Sequence, residues 1–246
     1  MKIDFTGKTV LITGATRGIG KQVADDMAQA GATLIVTGTN IKPVYEVNRQ
    51  FYPTRPLQCR VNFLDDQSTD DFIDFISTQK IDVCINNAGI NTIAPICHVQ
   101  DTDWHDIMKV NLTAPYKIMK TVAKNMKQQR YGRIVNIASI WGTIGKEQRA
   151  CYSASKFGLR GLTLASAAEL ARYNVLINTV SPGFTLTELT RQILEEEEME
   201  ELCAEIPVGR MADPEEISKV VLFMASDLNT YISGQNIVAD GGFVNV

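Results

Sequence analysis

The chain has 246 residues, 45% hydrophobic and 21% charged, with a net charge of −4 and a pI near 5.3. That length can bury a large core in one α/β domain, and the acidic balance argues against nucleic acid as the main partner. The five cysteines, Cys59, Cys84, Cys97, Cys151 and Cys203, form no C-x-x-C, and the only histidines are His98 and His105. Free thiols in a reducing cytosol are expected, with no disulfide framework and no metal site. The N-terminal MKIDFTGKTVLITG lacks the apolar core of a signal peptide, and VVLFMA (220–225) is too short to span a bilayer. A cytoplasmic protein with no membrane partner is the expectation.

Short β-branched runs alternate with helical stretches along the chain. TVLIT (9–13), TLIVTG (33–38), PLQCRV (56–61), IDVCINN (81–87), RIVNIAS (133–139), VLINTVSPG (175–183) and QNIVADGG (235–242) read as strands. After the first, Ile19, Val23, Met27 and Ala30 recur near helical spacing, and Gly31 stands at the C-cap. Seven strands separated by helices predict an α/β fold: one doubly wound, seven-stranded parallel sheet with helices on both faces. No linker, repeat or low-complexity tract interrupts it, so residues 1–246 read as a single domain. The run EEEEMEE (195–201) suits a helix whose glutamates face water, with Leu194, Leu202 and Ile206 as its apolar stripe. Its place between a Ser-Pro-Gly turn (181–183) and Pro207 also suits a substrate lid around 186–208.

The first strand runs into TGATRGIG (13–20), where Gly14, Gly18 and Gly20 are spaced GxxxGxG. Glycines there let the backbone approach a pyrophosphate, and the following helix aims its N-terminus at the anion. The spacing is neither GxGxxG nor the GxxxxGK[ST] of nucleotide triphosphatases. An acid at the end of the second strand would hold the ribose 2′-hydroxyl of NAD. The second strand ends VTGTN (36–40), and no acid lies between residues 32 and 45. Arg17, in the glycine turn, and Lys42, beyond the strand, are cations that suit a 2′-phosphate. Thr37 and Thr39 add small hydroxyls. NADP(H) is therefore expected in preference to NAD(H).

Tyr152 and Lys156 stand four apart in CYSASKFG (151–158), on one face of a helix. An unperturbed phenol, with pKa about 10, is a poor proton donor at neutral pH. An ammonium ~4 Å away would favour the phenolate by roughly 4 kcal/mol, about three pKa units, at an effective dielectric of ~20. Ser139 ends the fifth strand, NNAG (86–89) ends the fourth, and Asn111 follows the aromatic–apolar stretch WHDIMKV (104–110). Ligands of doubly wound sheets bind beyond these carboxyl ends.

TGATRGIG (13–20), NNAG (86–89), VNL (110–112), NIAS (136–139), YSASK (152–156), SPG (181–183) and DGG (240–242) stand together in one order. With these motifs the chain resembles the short-chain dehydrogenase/reductase family over essentially its whole length, which implies a Rossmann-type domain. The resemblance implies a catalytic tetrad of Asn111, Ser139, Tyr152 and Lys156. Tyr152 would give a proton to a carbonyl oxygen as hydride arrives from the nicotinamide, and Ser139 would hydrogen-bond that oxygen. Lys156 would bind the nicotinamide ribose and lower the tyrosine pKa. Asn111 would hold a water relaying protons toward Lys156. Gly14, Thr16, Arg17, Gly18 and Ile19 match the phosphate loop, with Thr39 beside it. Asn62 and Phe63 match positions facing adenine, although Asn62 stands where many relatives have aspartate. Asn87, Ala88 and Gly89 match the wall beside the adenine ribose. Pro182, Gly183, Thr185 and Thr187 match the turn that orients the carboxamide. Tyr152 and Lys156 also count among the cofactor contacts.

The general likeness is to β-ketoacyl carrier-protein reductases, through PVGRMADPEEIS (207–218) and YISGQNIVADGG (231–242). An acidic carrier protein would need a basic face; Lys117, Lys120, Lys124 and Lys127 recur at helical spacing, and Arg130 and Arg133 follow. Trp141, Lys146, Glu147 and Arg149, beside the expected pocket, point instead to a polar or anionic substrate such as a sugar or hydroxy acid. A 3-oxoacyl-type reductase is the first reading, a sugar, polyol or other polar-ketone dehydrogenase the second. A non-catalytic NADP(H)-binding regulator is the reading of a different class. The resemblance, with the apolar C-terminal GGFVNV, implies a homotetramer or homodimer.

Overall fold

The computed structural model describes residues 2–40, 56–193 and 195–246. All seven expected strands form: β1 (Thr9–Ile12), β2 (Thr33–Gly38), β3 (Leu57–Arg60), β4 (Val83–Asn86), β5 (Gly132–Ile137), β6 (Val175–Pro182) and β7 (Asn236–Ala239). Every pairing is parallel, in the order β3-β2-β1-β4-β5-β6-β7. Ile12 lies opposite Val36 on one side and Ile85 on the other. The strand order reverses between β1 and β4, so a crevice opens beyond their carboxyl ends.

The helices are α1 (Gly18–Gln29), α2 (Asp66–Ser77), α3 (Asp101–Met108), α4 (Ala114–Gln129), α5 (Ala150–Leu170), α6 (Glu188–Ile193), α7 (Glu196–Glu205) and α8 (Pro214–Ala225). On one face, Val23 and Met27 of α1 and Ile217 and Val221 of α8 pack on Val10, Ile12 and Val135. On the other, Phe72 and Ile76 of α2 and Ile118, Val122 and Met126 of α4 cover Leu11, Cys84 and Ile134. Each such aliphatic side chain contributes roughly 1.5–3 kcal/mol by leaving water. Both sheet faces are therefore apolar, which explains why the strands read as continuous β-branched runs rather than alternating ones.

Local signals set the helix starts. The Asp65 carboxylate accepts from the Ser68 N–H at the head of α2. Asp213 and Glu216 form a reciprocal capping box at α8, with Pro214 in its first turn. Between α3 and α4, Lys109–Thr113 form a π turn centred on Asn111, a distortion that often accompanies functional sites. The glutamate run forms α7, capped by Glu195 and Glu198, with no buried residue. Leu202 is half-buried and Ile206 buried, as its stripe required; Leu194 lies outside the described residues.

Arg133 corrects the expected basic face. It lies within β5, opposite Val83 and Leu176, and is only 3% exposed. Its guanidinium donates to the carbonyls of Gly132 and Asn174 at 2.9 and 3.1 Å and lies 4.8 Å from the Tyr131 ring centroid. Arg133 thus belongs to the interior at the amino ends of the strands, not to the lysine surface of α4.

Candidate active site and cofactor cleft

The turn after β1 is built for close approach. Gly14 and Gly18 have φ of +64° and +56°, where a side chain would be strained. A Cβ on Gly14 would lie 2.9 Å from the Ala88 Cα. Thr13 and Asn87 staple this turn to the end of β4. The Asn87 amide donates to the Thr13 and Gly14 carbonyls at 3.0 and 2.9 Å, and the Thr13 hydroxyl accepts from the Asn87 and Ala88 N–H groups. Beside the turn lies a cleft of about 350 Å³. Gly14, Thr16, Arg17, Gly18, Ile19, Thr39, Asn62, Phe63, Asn87, Ala88, Gly89 and Thr187 all line it.

Several lining residues differ from their expected parts. The Thr37 hydroxyl is buried and accepts from the Gly14 N–H at 3.3 Å, so it braces the turn. Phe63 turns its ring into the core, edge-on to Phe72 at 6.2 Å, and offers the cleft little side chain. The Asn62 side chain accepts from the Leu64 N–H. Lys42 lies outside the described residues. A cation that sequence reasoning missed is Arg60, at the end of β3, whose Nε donates to the Thr39 carbonyl at 3.2 Å. The signal lay in the strand order, because β3 flanks β2 only in three dimensions. Gly38, Val61, Leu64, Ile90, Val110 and Glu188 also line the cleft without having been singled out. The donor set fits an anionic dinucleotide: a glycine turn, the N-terminus of α1, and Arg17 in the cleft wall, with Arg60 bonded to Thr39 nearby.

Pro182, Gly183 and Thr185 stand at the end of β6 and just beyond, outside that cleft's lining. The Gly183 N–H donates to the Ala239 carbonyl at 2.9 Å, and a Cβ there would meet Asp240 at 2.7 Å. The Thr185 hydroxyl donates back to the Gly183 carbonyl at 3.2 Å. Thr187 reaches over the glycine turn, with its Cγ2 3.5 Å from where a Gly18 Cβ would stand.

Ser139, Tyr152, Lys156 and Asn111 converge from the end of β5, from α5 and from the π turn. Gly142 lets the segment after Ser139 press on α5, since a Cβ there would meet Lys156 at 2.9 Å. Lys156 is 3% exposed and donates to the Ile137 carbonyl at 2.8 Å. Burial brings its pKa down to about 8. The Tyr152 phenol is pushed up by burial; a hydrogen bond from the Ser139 hydroxyl to the phenolate and the charge of Arg149 pull it back. The Lys156 ammonium sits 5.5 Å from the phenol ring centroid and is turned to the main chain.

Asn111 is fully buried, and its carboxamide is occupied. Oδ1 accepts from the Ile90 N–H at 2.9 Å; Nδ2 donates to the Ile90 carbonyl at 2.9 Å and to the Ser155 hydroxyl at 3.1 Å. Ser155 in turn donates to the Tyr152 carbonyl at 2.7 Å. Asn111 therefore clamps the segment after NNAG to the catalytic helix, a part that the sequence reading did not give it. Trp141 is buried edge-on against Phe184 and Phe243, at 6.1 and 6.0 Å, and braces the site from behind. Lys146 and Glu147 are exposed, and Arg149 is partly buried.

A family described as Enoyl-(Acyl carrier protein) reductase matches residues 14–244. A 3-oxoacyl-[acyl-carrier-protein] reductase of Aquifex aeolicus is 40% identical over 247 residues, covering 98% of this chain and 99% of its own length. The Escherichia coli reductase of the same name is 33% identical over 246 residues, covering 99% and 100%. Among solved structures, a putative NAD(P)-dependent gluconate 5-dehydrogenase of Beutenbergia cavernae with bound NADP superposes with a TM-score of 0.93 at 32% identity, covering 99% of both chains. A gluconate 5-dehydrogenase of Burkholderia cenocepacia in complex with NADP and tartrate gives a TM-score of 0.89 at 30% identity, covering 99% and 97%.

Proposed function

The chain belongs to the short-chain dehydrogenase/reductase family, and we propose that it uses NADPH to reduce the 3-oxo group of an acyl thioester to a secondary alcohol. The observation that carries this reading is the convergence of Ser139, Tyr152 and Lys156 beyond β5, beside a cleft walled by the glycine turn. When bound, the nicotinamide supplies a hydride to the carbonyl carbon. Tyr152 supplies the proton to the oxygen as negative charge grows there. The Ser139 hydroxyl donates to that same oxygen. Lys156, charged at neutral pH, turns from the Ile137 carbonyl toward the ribose and the phenol. Because the Asn111 carboxamide is already engaged, a relay water would take its contact from the main chain of the π turn.

Arg17, which shares the cleft wall with Thr39, and Arg60, bonded to the Thr39 carbonyl, favour the 2′-phosphate of NADP(H). Gly14, Thr16, Gly18 and Ile19 receive the pyrophosphate, and Asn62, Phe63, Asn87, Ala88 and Gly89 flank the adenosine. Pro182, Gly183, Thr185 and Thr187 orient the carboxamide. Residues 186–208, carrying α6 and α7, close over the substrate. The relatives named as carrier-protein reductases support an acidic acyl carrier protein as the bearer of substrate. Lys117, Lys120, Lys124 and Lys127 on α4 form its basic landing face, although Lys117 is paired with Asp70 and Lys127 lies against the Tyr173 ring. The protein works in the cytoplasm as a homotetramer or homodimer; no described helix is long and apolar enough to cross a membrane.

A sugar-acid or other polar-ketone dehydrogenase is the second reading. Arg149 beside Tyr152 and the gluconate dehydrogenases among the structural relatives favour it. NADPH consumption with an acetoacetyl thioester, set against a panel of keto-sugars and keto-gluconates, separates the two. Turnover of the thioester alone supports the first reading. Turnover of the sugar acids alone replaces it with the second, and no turnover of any carbonyl leaves the regulator.

A further inference from the structure

We propose that Arg149 determines specificity by binding a second oxygen of the substrate, a carboxylate or acyl carbonyl in a 1,3 relation to the reacting carbonyl. This rests on the carbonyl-reductase reading and names the substrate class. Arg149 caps the N-terminus of α5, three residues before Tyr152. Residues three apart on a helix share a face, with Cβ atoms about 5–6 Å apart. The Ser153 N–H donates to the Arg149 carbonyl at 2.7 Å, so this turn is closed.

The main chain around Arg149 is held from two sides. Its N–H donates to the Lys146 carbonyl at 3.3 Å, and the Ala94 N–H donates to the Gln148 carbonyl at 3.2 Å. Gln148 itself has a φ of +60°, a strained conformation outside glycine. The chain thus keeps a bent, tied loop that presents Arg149 at the rim of the site.

The guanidinium is partly buried and has neither an ion pair nor a hydrogen bond among the described residues. Burial pulls its pKa down, and the Tyr152 phenolate, when formed, would offset this. A desolvated guanidinium without a counter-group is unfavourable, because arginine does not discharge at working pH. A substrate oxygen would complete it. Its planar fork takes a carboxylate through two parallel bonds and a carbonyl through one. The segment that Ala94 ties to Gln148 carries Ile90, Ile93 and Ile96, exposed and apolar, which suit a short carbon chain.

The test compares acetoacetyl thioester, 3-oxobutanoate and a plain butanone, which lacks the second oxygen. Arg149→Ala is expected to lower the ratio of kcat/KM for either oxo-acyl substrate to that for butanone by about tenfold, mostly through KM. Arg149→Lys is expected to recover more of the ratio for the carboxylate than for the thioester. An unchanged ratio, with all three substrates losing equally, would overturn the proposal and leave Arg149 acting only through Tyr152. Calorimetric titration of 3-oxobutanoate into Tyr152→Phe protein saturated with NADP⁺ decides the matter without turnover. Binding about tenfold weaker after adding Arg149→Ala supports the anchor; equal binding, or none in either protein, refutes it. A protein that reduces no carbonyl fails the functional reading, and the titration still reports on Arg149.

Discussion

Lys156 donates to the Ile137 carbonyl at 2.8 Å while its ammonium stays 5.5 Å from the Tyr152 ring centroid. The two side chains are therefore neighbours on α5, with the cation bonded to the main chain of β5.

The first prediction is a pH profile with one limb. Reduction needs the Tyr152 proton and the Lys156 charge. Burial brings Lys156 to about 8 and holds the phenol above its ordinary value. As pH rises, Lys156 discharges first while Tyr152 keeps its proton. The kcat/KM for the carbonyl should be flat below about pH 8 and fall above it, with no tyrosine limb before about pH 10. A profile flat to about pH 10 would contradict this.

Stability should carry the same signature with the opposite sign. Between the folded Lys156 value of about 8 and the unfolded value of about 10.4, the unfolded chain binds the extra proton. Wild-type stability attributable to this group therefore rises with pH across that window. Relative to Lys156→Met, denaturant titrations should show wild type gaining up to ~3 kcal/mol as pH rises from about 8 to about 10.4. A constant difference across the window would mean that Lys156 is not titrating from a buried site.

Cofactor choice should depend on two arginines from different strand ends. Arg17→Ala and Arg60→Ala should each lower the NADPH/NADH ratio of kcat/KM, by about tenfold for a lost charge-assisted contact. A ratio unmoved in both would place the 2′-phosphate contact elsewhere.

Asn111→Ala removes the clamp on Ile90. It leaves the part-buried Ile90 N–H and carbonyl without their protein partners, which costs at most about 1–3 kcal/mol each. The melting temperature and kcat should fall together. Asn111→Asp should recover the bond from the Ile90 N–H but not the one to its carbonyl. A variant with normal stability and low kcat would assign Asn111 to proton relay alone.

The fold was legible because βαβ architecture writes itself locally. Continuous β-branched runs mark strands buried on both faces, and Gly31, Asp65 and Asp213 punctuate the helices. The glycine turn and the Tyr152–Lys156 pair are contiguous in sequence and were readable for the same reason. What stayed hidden depends on long-range contact. Arg60 meets Thr39 across 21 residues, and Asn111 meets Ile90 across the same separation. The sequence places Arg133 at the start of a strand yet also beside the basic residues of α4; only its burial in β5 shows that it is not a surface cation. A spacing of four gives the proximity of Tyr152 and Lys156 but not their burial, which raises the phenol and is set by the packing around α5.

The most direct test is turnover by Tyr152→Phe protein with NADPH and the best carbonyl substrate, alongside NADPH binding by fluorescence. The account predicts a fall in kcat of about 10²–10⁴, with NADPH affinity kept within about threefold, less than 1 kcal/mol. A variant that retains wild-type kcat would contradict the assignment of Tyr152 as proton donor, and with it the catalytic reading of the site.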